Sequence, residues 1–565
     1  MLLPALAAAL ALAGFAPSLR SDFVWDDHQT VIGPADRGMF EISQLPVLFS
    51  RGYFLAYGEF SYRPVVTMTY FADFALWGLS AFGFRLSNLL LHAAAAALAC
   101  ALFLRVTSHA WVSLAAAFLF AVHPVQSEAV LNVSFREDIL CVVFILAAFL
   151  CHARGVQAAG SGWNWRIAAA LAYGAALFSK ETALLVVPAV AFFREWTASG
   201  RRVAAVGAHN VLLFAVGALY ALVRFGWMRL DVVMPVDMAG ASAGSPVARL
   251  VRVPSLVLSY VRLIAWPVGL HAERTLGAGR GGIEAWVLLG VLLVGVFALV
   301  RRSKSQRAGI TGILWVVLAL APVLGLVALP NPIAERYLYF AAPGVFLCVA
   351  VWVGEAVESP LLNLATRRAI VVAIVLVLAV YAWRSAAQSL RCRDDRTLWQ
   401  NTLMEDSRNA KARNNLGVYY YRQGEKTKAM AIYRRNVNVN PWNVVARRHL
   451  GSLYLEAGLY DKALQQFEAA LRSAPSSPML HYEAGRALLA IENLAGARSA
   501  FEAALRHNPH SVSARTHLAL VLHYLGKESL AQREAVIAAS LAHSPQEKAE
   551  VQELIQRLTK PSLRP

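Results

Sequence analysis

The sequence predicts an all-α protein in two parts: a polytopic membrane helix bundle of about eleven spans, then a C-terminal solenoid of paired helices. Three observations predict it. Of the 565 residues, 58% are hydrophobic and 16% charged, whereas soluble domains carry roughly 25% charge. Apolar runs long enough to cross a bilayer, which takes about 20 residues, recur as far as residue 388. Beyond them the chain turns polar, and prolines return every 34 residues, at Pro441, Pro475 and Pro509.

Spans are expected near residues 2–17, 86–104, 110–124, 138–153, 166–179, 182–196, 204–223, 284–300, 309–329, 336–354 and 368–388. The first has no basic residues before it, and the APS that follows is a poor cleavage site, so it reads as an uncleaved span. Residues 250–268 carry Arg252, Pro254, Arg262 and Pro267 and read as an interfacial or re-entrant helix. With the N-terminus inside, the basic loops REWTASGRR (194–202) and RRSKSQR (301–307) fall on the cytoplasmic side. The opposite side then receives HPVQSEAVLNVSFRED (123–138), SKE (179–181), WPVGLHAE (266–273) and PNPIAERY (330–337). It also receives a long first outer loop, residues 18–85, in which Phe60-Ser61-Tyr62-Arg63-Pro64 and the apolar Val65–Phe84 predict short interfacial helices. Residues 1–390 form this membrane part.

The net charge of +18 fits Lys and Arg gathered in cytoplasmic loops. No basic run carries interleaved aromatics, which excludes nucleic acid as a partner. Cys100, Cys141, Cys151, Cys348 and Cys392 are odd in number and form no CxxC pair, so neither a disulfide framework nor a cysteine metal site is expected. No Gly-rich phosphate loop, nucleophile elbow or Walker motif is present, which argues against an ATP-driven pump.

From residue 396 to 559 the pattern repeats in register. Leu416-Gly417, Leu450-Gly451, Ala484-Gly485 and Leu518-Ala519 are followed by Tyr420, Tyr454, Leu488 and Leu522, then by Ala429, Ala463, Ala497 and Ala531. Tyr433, Phe467 and Phe501 complete the units. Small residues where paired helices touch, large ones beside them and a closing Pro are the tetratricopeptide signature. About four such pairs stack into a solenoid with a concave face suited to an extended peptide.

The stretch most in need of a chemical reason is Ser21–Pro34, SDFVWDDHQTVIGP. Carboxylates are costly near hydrocarbon, so Asp26 and Asp27 read as functional. The structural alternative is an N-cap pair for a helix starting near His28. Arg336, Lys180, Arg136 and His123 are candidates to hold an anion on the same side, and Arg offers phosphate a planar fork. Against that, Glu335–Arg336 and Lys180–Glu181 also read as ion pairs at span ends. Trp25, His28, Glu128 and Arg63 are candidates to touch a sugar or an acceptor. His123 with Glu128, Glu137 and Asp138 matches no zinc spacing, and a divalent metal is left open. Arg85, Asn88 and His92 share one helix face and read as satisfying one another within the bundle.

Together FVWDDHQTV (23–31), YRPVVTMTYFADFALWGLSAFGFRLSNLLLH (62–92), FAVHPVQSEAV (120–130), LFSKETALLVVP (177–188), AERYLYFAAPG (334–344) and the repeats resemble the transmembrane and tetratricopeptide-repeat O-mannosyltransferases, of the GT-C class of membrane glycosyltransferases. The resemblance covers nearly the whole chain. It implies transfer of a sugar, mannose in the best-known members, from a polyprenyl-phosphate donor to Ser or Thr hydroxyls of exported proteins held by the repeats. It also implies an aspartate base in the first outer loop, Asp27 narrowly ahead of Asp26. An Asp of pKa about 3.9 is a weak base, but it serves where the proton moves late, after C1 already resembles an oxocarbenium ion. Two departures stand out: Pro545 falls two residues late, and Glu273 stands where an aspartate is expected. The Ala/Arg/Leu bias suggests a bacterial inner membrane with the solenoid periplasmic; an endoplasmic-reticulum membrane with a lumenal solenoid is the alternative. Competing functions are a non-catalytic scaffold that assembles an envelope complex and a transferase acting on a lipid or polymer. A transporter fits least, because its charges belong at mid-membrane.

Overall fold

The computed structural model describes all residues except 1, 51–52, 54–61, 108–109, 159–161, 200–202, 204–205, 208–209, 228–245, 275–281, 327–330, 332, 543–544 and 559–565. Phe60, Ser61, part of the expected 204–223 span and part of 330–337 therefore lie outside the described residues. Every described element is helical, as the sequence predicts, and the chain divides into two compact units, Met1–Asp406 and Ser407–Pro565.

Among the described residues the first unit contains six helices long and apolar enough to cross a membrane: Leu2–Arg20, Ala81–Thr107, Val133–Gln157, Ile283–Arg302, Arg336–Glu358 and Leu364–Arg391. A seventh is counted if Ala110–Val122 and Pro124–Leu131, bent by 47°, form one broken span. The expected eleven are thus not reached among the described residues. The expected 166–179, 182–196 and 309–329 spans are helices of 17, 17 and 15 residues. At 1.5 Å per residue a 17-residue helix is about 25 Å long, short of the roughly 30 Å hydrocarbon core. Residues 246–265 form one helix containing Pro254, which is not among the six.

Residues 18–85 are built from short pieces. A 3-10 turn (Ala16–Arg20) leads through the acid stretch into a π turn at His28–Ile32, then Gly33–Asp36, Ile42–Phe49 and the helix Pro64–Trp77. These pieces bury Val31, Phe40, Leu48, Tyr70 and Phe71 against Phe84, Val133 and Leu140 of the neighbouring helices. The loop is therefore packed into the unit by its own aromatic core.

Arg85, Asn88 and His92 are fully buried, but they do not bond to one another. Arg85 donates to the Leu131 and Asp22 carbonyls and Asn88 to the Asn132 carbonyl (3.1 Å). His92 sits between the Tyr339 hydroxyl (2.9 Å) and the Ala121 carbonyl (3.0 Å).

In the second unit the 34-residue period has a direct physical cause. A Cβ added to Gly417 would stand 2.5 Å from the Tyr433 ring, one on Gly451 2.6 Å from Phe467, and one on Gly485 2.7 Å from Phe501. Only glycine lets each first helix approach the aromatic ring of its partner helix. The fourth pair, Val512–Tyr524 with Glu528–Leu541, uses another solution: Ala519 and Ala535 replace glycine and ring, and Leu554 of the last helix packs beside them. Pro545 opens that last helix, Pro545–Leu558, which explains its late position. Asn409, Asn443 and Ser511 cap the helices that follow them.

Candidate functional site

The two adjacent aspartates have different surroundings. Asp27 is completely buried; its Oδ1 accepts the Ser134 N–H (2.7 Å) and its Oδ2 the Val24 N–H (3.1 Å). Burial pushes its pKa up, while Arg85 and the two amides oppose that. Both oxygens are committed to holding the loop. Asp26 is half-buried, and its carboxylate makes no hydrogen bond among the described residues. Burial raises its pKa to about 7, Arg336 pulls it down, and Glu273, Asp27 and Glu137 push it further up. Neither side chain caps the turn at His28, so the N-cap alternative does not hold.

The residues flanking the pair are held in place. Trp25 has φ 55°, a left-handed conformation uncommon for a bulky residue. Its ring meets Phe135 and Trp399 edge-on at 5.1 and 5.5 Å. Its N–H donates to Asp395 Oδ1 (2.7 Å), and His28 Nε2 lies 2.7 Å from Asp395 Oδ2. Asp395 and Trp399 are the residues that sequence reasoning missed. The signal available was a second adjacent acid pair, Asp394-Asp395, directly after the last long helix.

The expected cations divide into two groups. Arg336 lies over Phe135 at 4.3 Å, Tyr337 at 5.2 Å and Trp25 at 5.8 Å, and its guanidinium pairs with Glu128 at 2.5 Å. Its partner is Glu128, not Glu335; Glu335 instead takes Arg274 (2.8 Å) and the His271 N–H (2.9 Å). Lys180 pairs with Asp138 (2.7 Å) and faces Glu137 (3.8 Å), not Glu181. Arg63 continues the chain of charges, to Glu137 at 2.9 Å and Glu181 at 3.7 Å, and Arg224 closes it at 3.9 Å from Glu181. Arg63 and Arg224 pull Glu181 down to about 2 against the opposing effect of burial. Lys180, Arg63 and Arg224 thus balance Asp138, Glu137 and Glu181, which offsets the cost of holding Lys180, Glu137 and Asp138 out of bulk water.

Arg136 and His123 do not belong to this group, and their assignment to an anion is corrected. Arg136 has no exposed side-chain surface and donates to Asn88 (2.6 Å), Thr69 (3.0 Å) and the Phe84 carbonyl (2.8 Å) while pairing with Asp73 (2.6 Å). His123 accepts the Val125 N–H on Nδ1 (3.2 Å), which leaves Nε2 to donate to the Ile264 carbonyl (3.0 Å). Both nitrogens are occupied in a helix-breaking corner. No group of three or more His, Cys, Asp or Glu side chains among the described residues is disposed to hold a metal ion.

A family described as dolichyl-phosphate-mannose-protein mannosyltransferase matches residues 64–227, and tetratricopeptide repeats match 384–437, 440–478, 448–511 and 482–547. Protein O-mannosyl-transferase F38B6.6 of Caenorhabditis elegans is 24% identical over 450 residues, 76% of this chain and 62% of that protein. The chain is related to the eukaryotic protein O-mannosyl-transferases. Protein O-mannosyl-transferase TMTC4 of Mus musculus is 25% identical over 486 residues, 75% of this chain and 65% of its own length. Tmtc2 of Drosophila melanogaster is 28% identical over 292 residues, 49% of this chain and 30% of its own length. The chain spans less than two thirds of each of these relatives. The solved tetratricopeptide protein YrrB is 18% identical and covers 28% of this chain and 90% of its own, with a TM-score of 0.25; no argument rests on it. These relatives are animal proteins, which overturns the expected bacterial inner membrane; an animal relationship matches the endoplasmic-reticulum alternative.

Proposed function

We propose that the chain transfers a mannose-like sugar from a polyprenyl-phosphate donor to Ser or Thr hydroxyls of exported proteins, with Asp26 as the base. The observation that carries this reading is the half-buried Asp26 carboxylate beside Arg336, its pKa raised to about 7 while Asp27 is committed to two backbone amides. A base poised near neutral pH accepts a proton far better than an ordinary aspartate.

In the reaction the acceptor Oγ forms a bond to sugar C1 while the C1–O bond to phosphate breaks, its electron pair leaving on the polyprenyl phosphate. The hydroxyl proton passes to Asp26 late in that step. Arg336 steadies the departing phosphate, with Lys180 and Arg63 as the next cations. The aromatic faces of Trp25 and Tyr337 offer flat surfaces to the sugar or acceptor, and His28 and Glu128 sit beside them. The tetratricopeptide unit presents the acceptor, and the acid loop, the cations and that unit lie on the non-cytoplasmic side. The catalytic part is residues 1–390 and the solenoid 396–559.

The test is transfer from a radiolabelled polyprenyl-phosphate mannose to an extract of exported proteins. The purified wild-type chain is compared with Asp26→Asn and Asp27→Asn. Asp26→Asn is expected to abolish labelling with the fold intact, whereas Asp27→Asn lowers stability along with activity. Equal labelling by all three removes Asp26 as the base, and labelling by none of them removes the enzymatic reading and leaves the scaffold.

A further inference from the structure

We propose that Asp395 is a positioning residue that holds Asp26 in the orientation the transfer step needs; this rests on Asp26 being the base. One carboxylate bridges the residues on either side of the acid pair. Asp395 Oδ1 accepts the Trp25 N–H and Oδ2 meets His28 Nε2, each at 2.7 Å. The Asp22 N–H donates to the Arg393 carbonyl at 2.8 Å, so the backbone just before Asp395 ties down the loop as well. Asp27 fastens the opposite side of the same turn to Ser134. Asp26 is the one acid of the three whose carboxylate does none of this anchoring.

Two observations give Asp395 this task and no other. Its own helix, Asp395–Glu405, does not need it, because Asp394 supplies the cap by accepting the Thr397 N–H at 2.8 Å in a reciprocal capping box. The conformation it holds is also unfavourable: a left-handed Trp is strained and persists only where its surroundings impose it. Trp399, 2% exposed, and Phe135 each hold the Trp25 ring in an edge-on contact. Without Asp395 the turn is free to relax toward an ordinary backbone conformation and carry Asp26 with it. A misplacement of about 1 Å at a reacting group can cost about a hundredfold in rate.

The experiment measures transfer kinetics and amide exchange on full-length protein for Asp395→Ala, Asp395→Asn and, as a comparator, Asp394→Ala. Asp395→Ala is expected to lower kcat by about 10- to 100-fold with the KM for the polyprenyl-phosphate donor within about twofold, and to speed exchange at the Trp25 amide. Asp395→Asn keeps an acceptor for that amide and falls between Asp395→Ala and wild type. Asp394→Ala loses a helix cap, so its melting temperature drops while kcat holds. The proposal is overturned if Asp395→Ala leaves kcat unchanged, or if it raises KM alone. Should the wild-type chain transfer no sugar, the base reading fails. Exchange at Trp25 then judges the anchor by itself: faster exchange sustains it and unchanged exchange removes it.

Discussion

The two units use charge in opposite ways. In the first, the pairs around the candidate site are buried: Arg136–Asp73 has side-chain exposures of 0% and 6%, and Lys180–Asp138 of 8% and 1%. In the second, several stand in water, as in Arg557–Glu553 at 54% and 64%. Exposed pairs contribute little. Buried pairs cost several kcal/mol to desolvate, and losing one partner leaves a stranded charge. The solenoid is therefore held by the fit of glycine against aromatic ring, with its charges as a soluble coat. The first unit holds its shape partly through charges, and a site made of charges is what remains where one of them, Asp26, has no hydrogen-bonding partner among the described residues.

That contrast can be broken at four points. The largest expected effect is on chemistry. Asp26→Asn should reduce transfer by about a thousandfold or more, measured by sugar incorporation. Because burial raises Asp26 to about 7, the base form fills as pH rises, so wild-type transfer should climb about tenfold per pH unit below 7 and level off above it. The stability sign runs the other way. A folded pKa above the unfolded one means the ionised carboxylate costs stability progressively from about pH 4 to 7. Asp26→Asn should accordingly melt no lower than wild type at pH 8, and a lower melting point would mean that Asp26 is a structural acid.

Next comes the buried pair. Arg136→Met strands Asp73 and should cost about 3–5 kcal/mol, read from thermal denaturation in detergent. Smaller is the solenoid's steric fit: Gly451→Ala should cost about 1–3 kcal/mol, and Phe467→Leu in the same chain should recover part of it, imitating the ring-free Ala519–Ala535 pair. Smallest is Arg498→Ala at an exposed i,i+4 pair with Glu502, expected within about 0.5 kcal/mol. If Arg136→Met and Arg498→Ala cost the same, the distinction between the units is lost.

The relationship to mannosyltransferases adds a constraint on where to look. The matched segment begins at Pro64, past the acid loop, so the role of Asp26 rests on its surroundings in this chain. The repeat match begins at residue 384, yet the helix Asp395–Glu405 belongs to the compact unit that holds the acid loop. Part of the repeat-like sequence thus does the work of the first unit.

Several features were legible in the residues alone because their causes are local. The 34-residue period follows from repeated contacts between neighbouring helices, and each glycine marks a ring beside it. The acid pair was conspicuous because carboxylates beside long apolar runs are costly. The number of spans was less legible, since hydropathy registers apolar runs but not where a helix stops. The sequence also determined which groups were charged, but only the tertiary structure decided which were already taken. Arg136 and Arg336 look alike in a loop, yet one has four partners inside the bundle, whereas the other has the single carboxylate of Glu128 and lies against aromatic rings. Asp26 and Asp27 are adjacent in sequence, and one amide at Ser134, 107 residues away, separates their roles. Asp395 reaches His28 across 367 residues. A carboxylate's chemistry depends on the donors around it, and those come from wherever the fold brings the chain back.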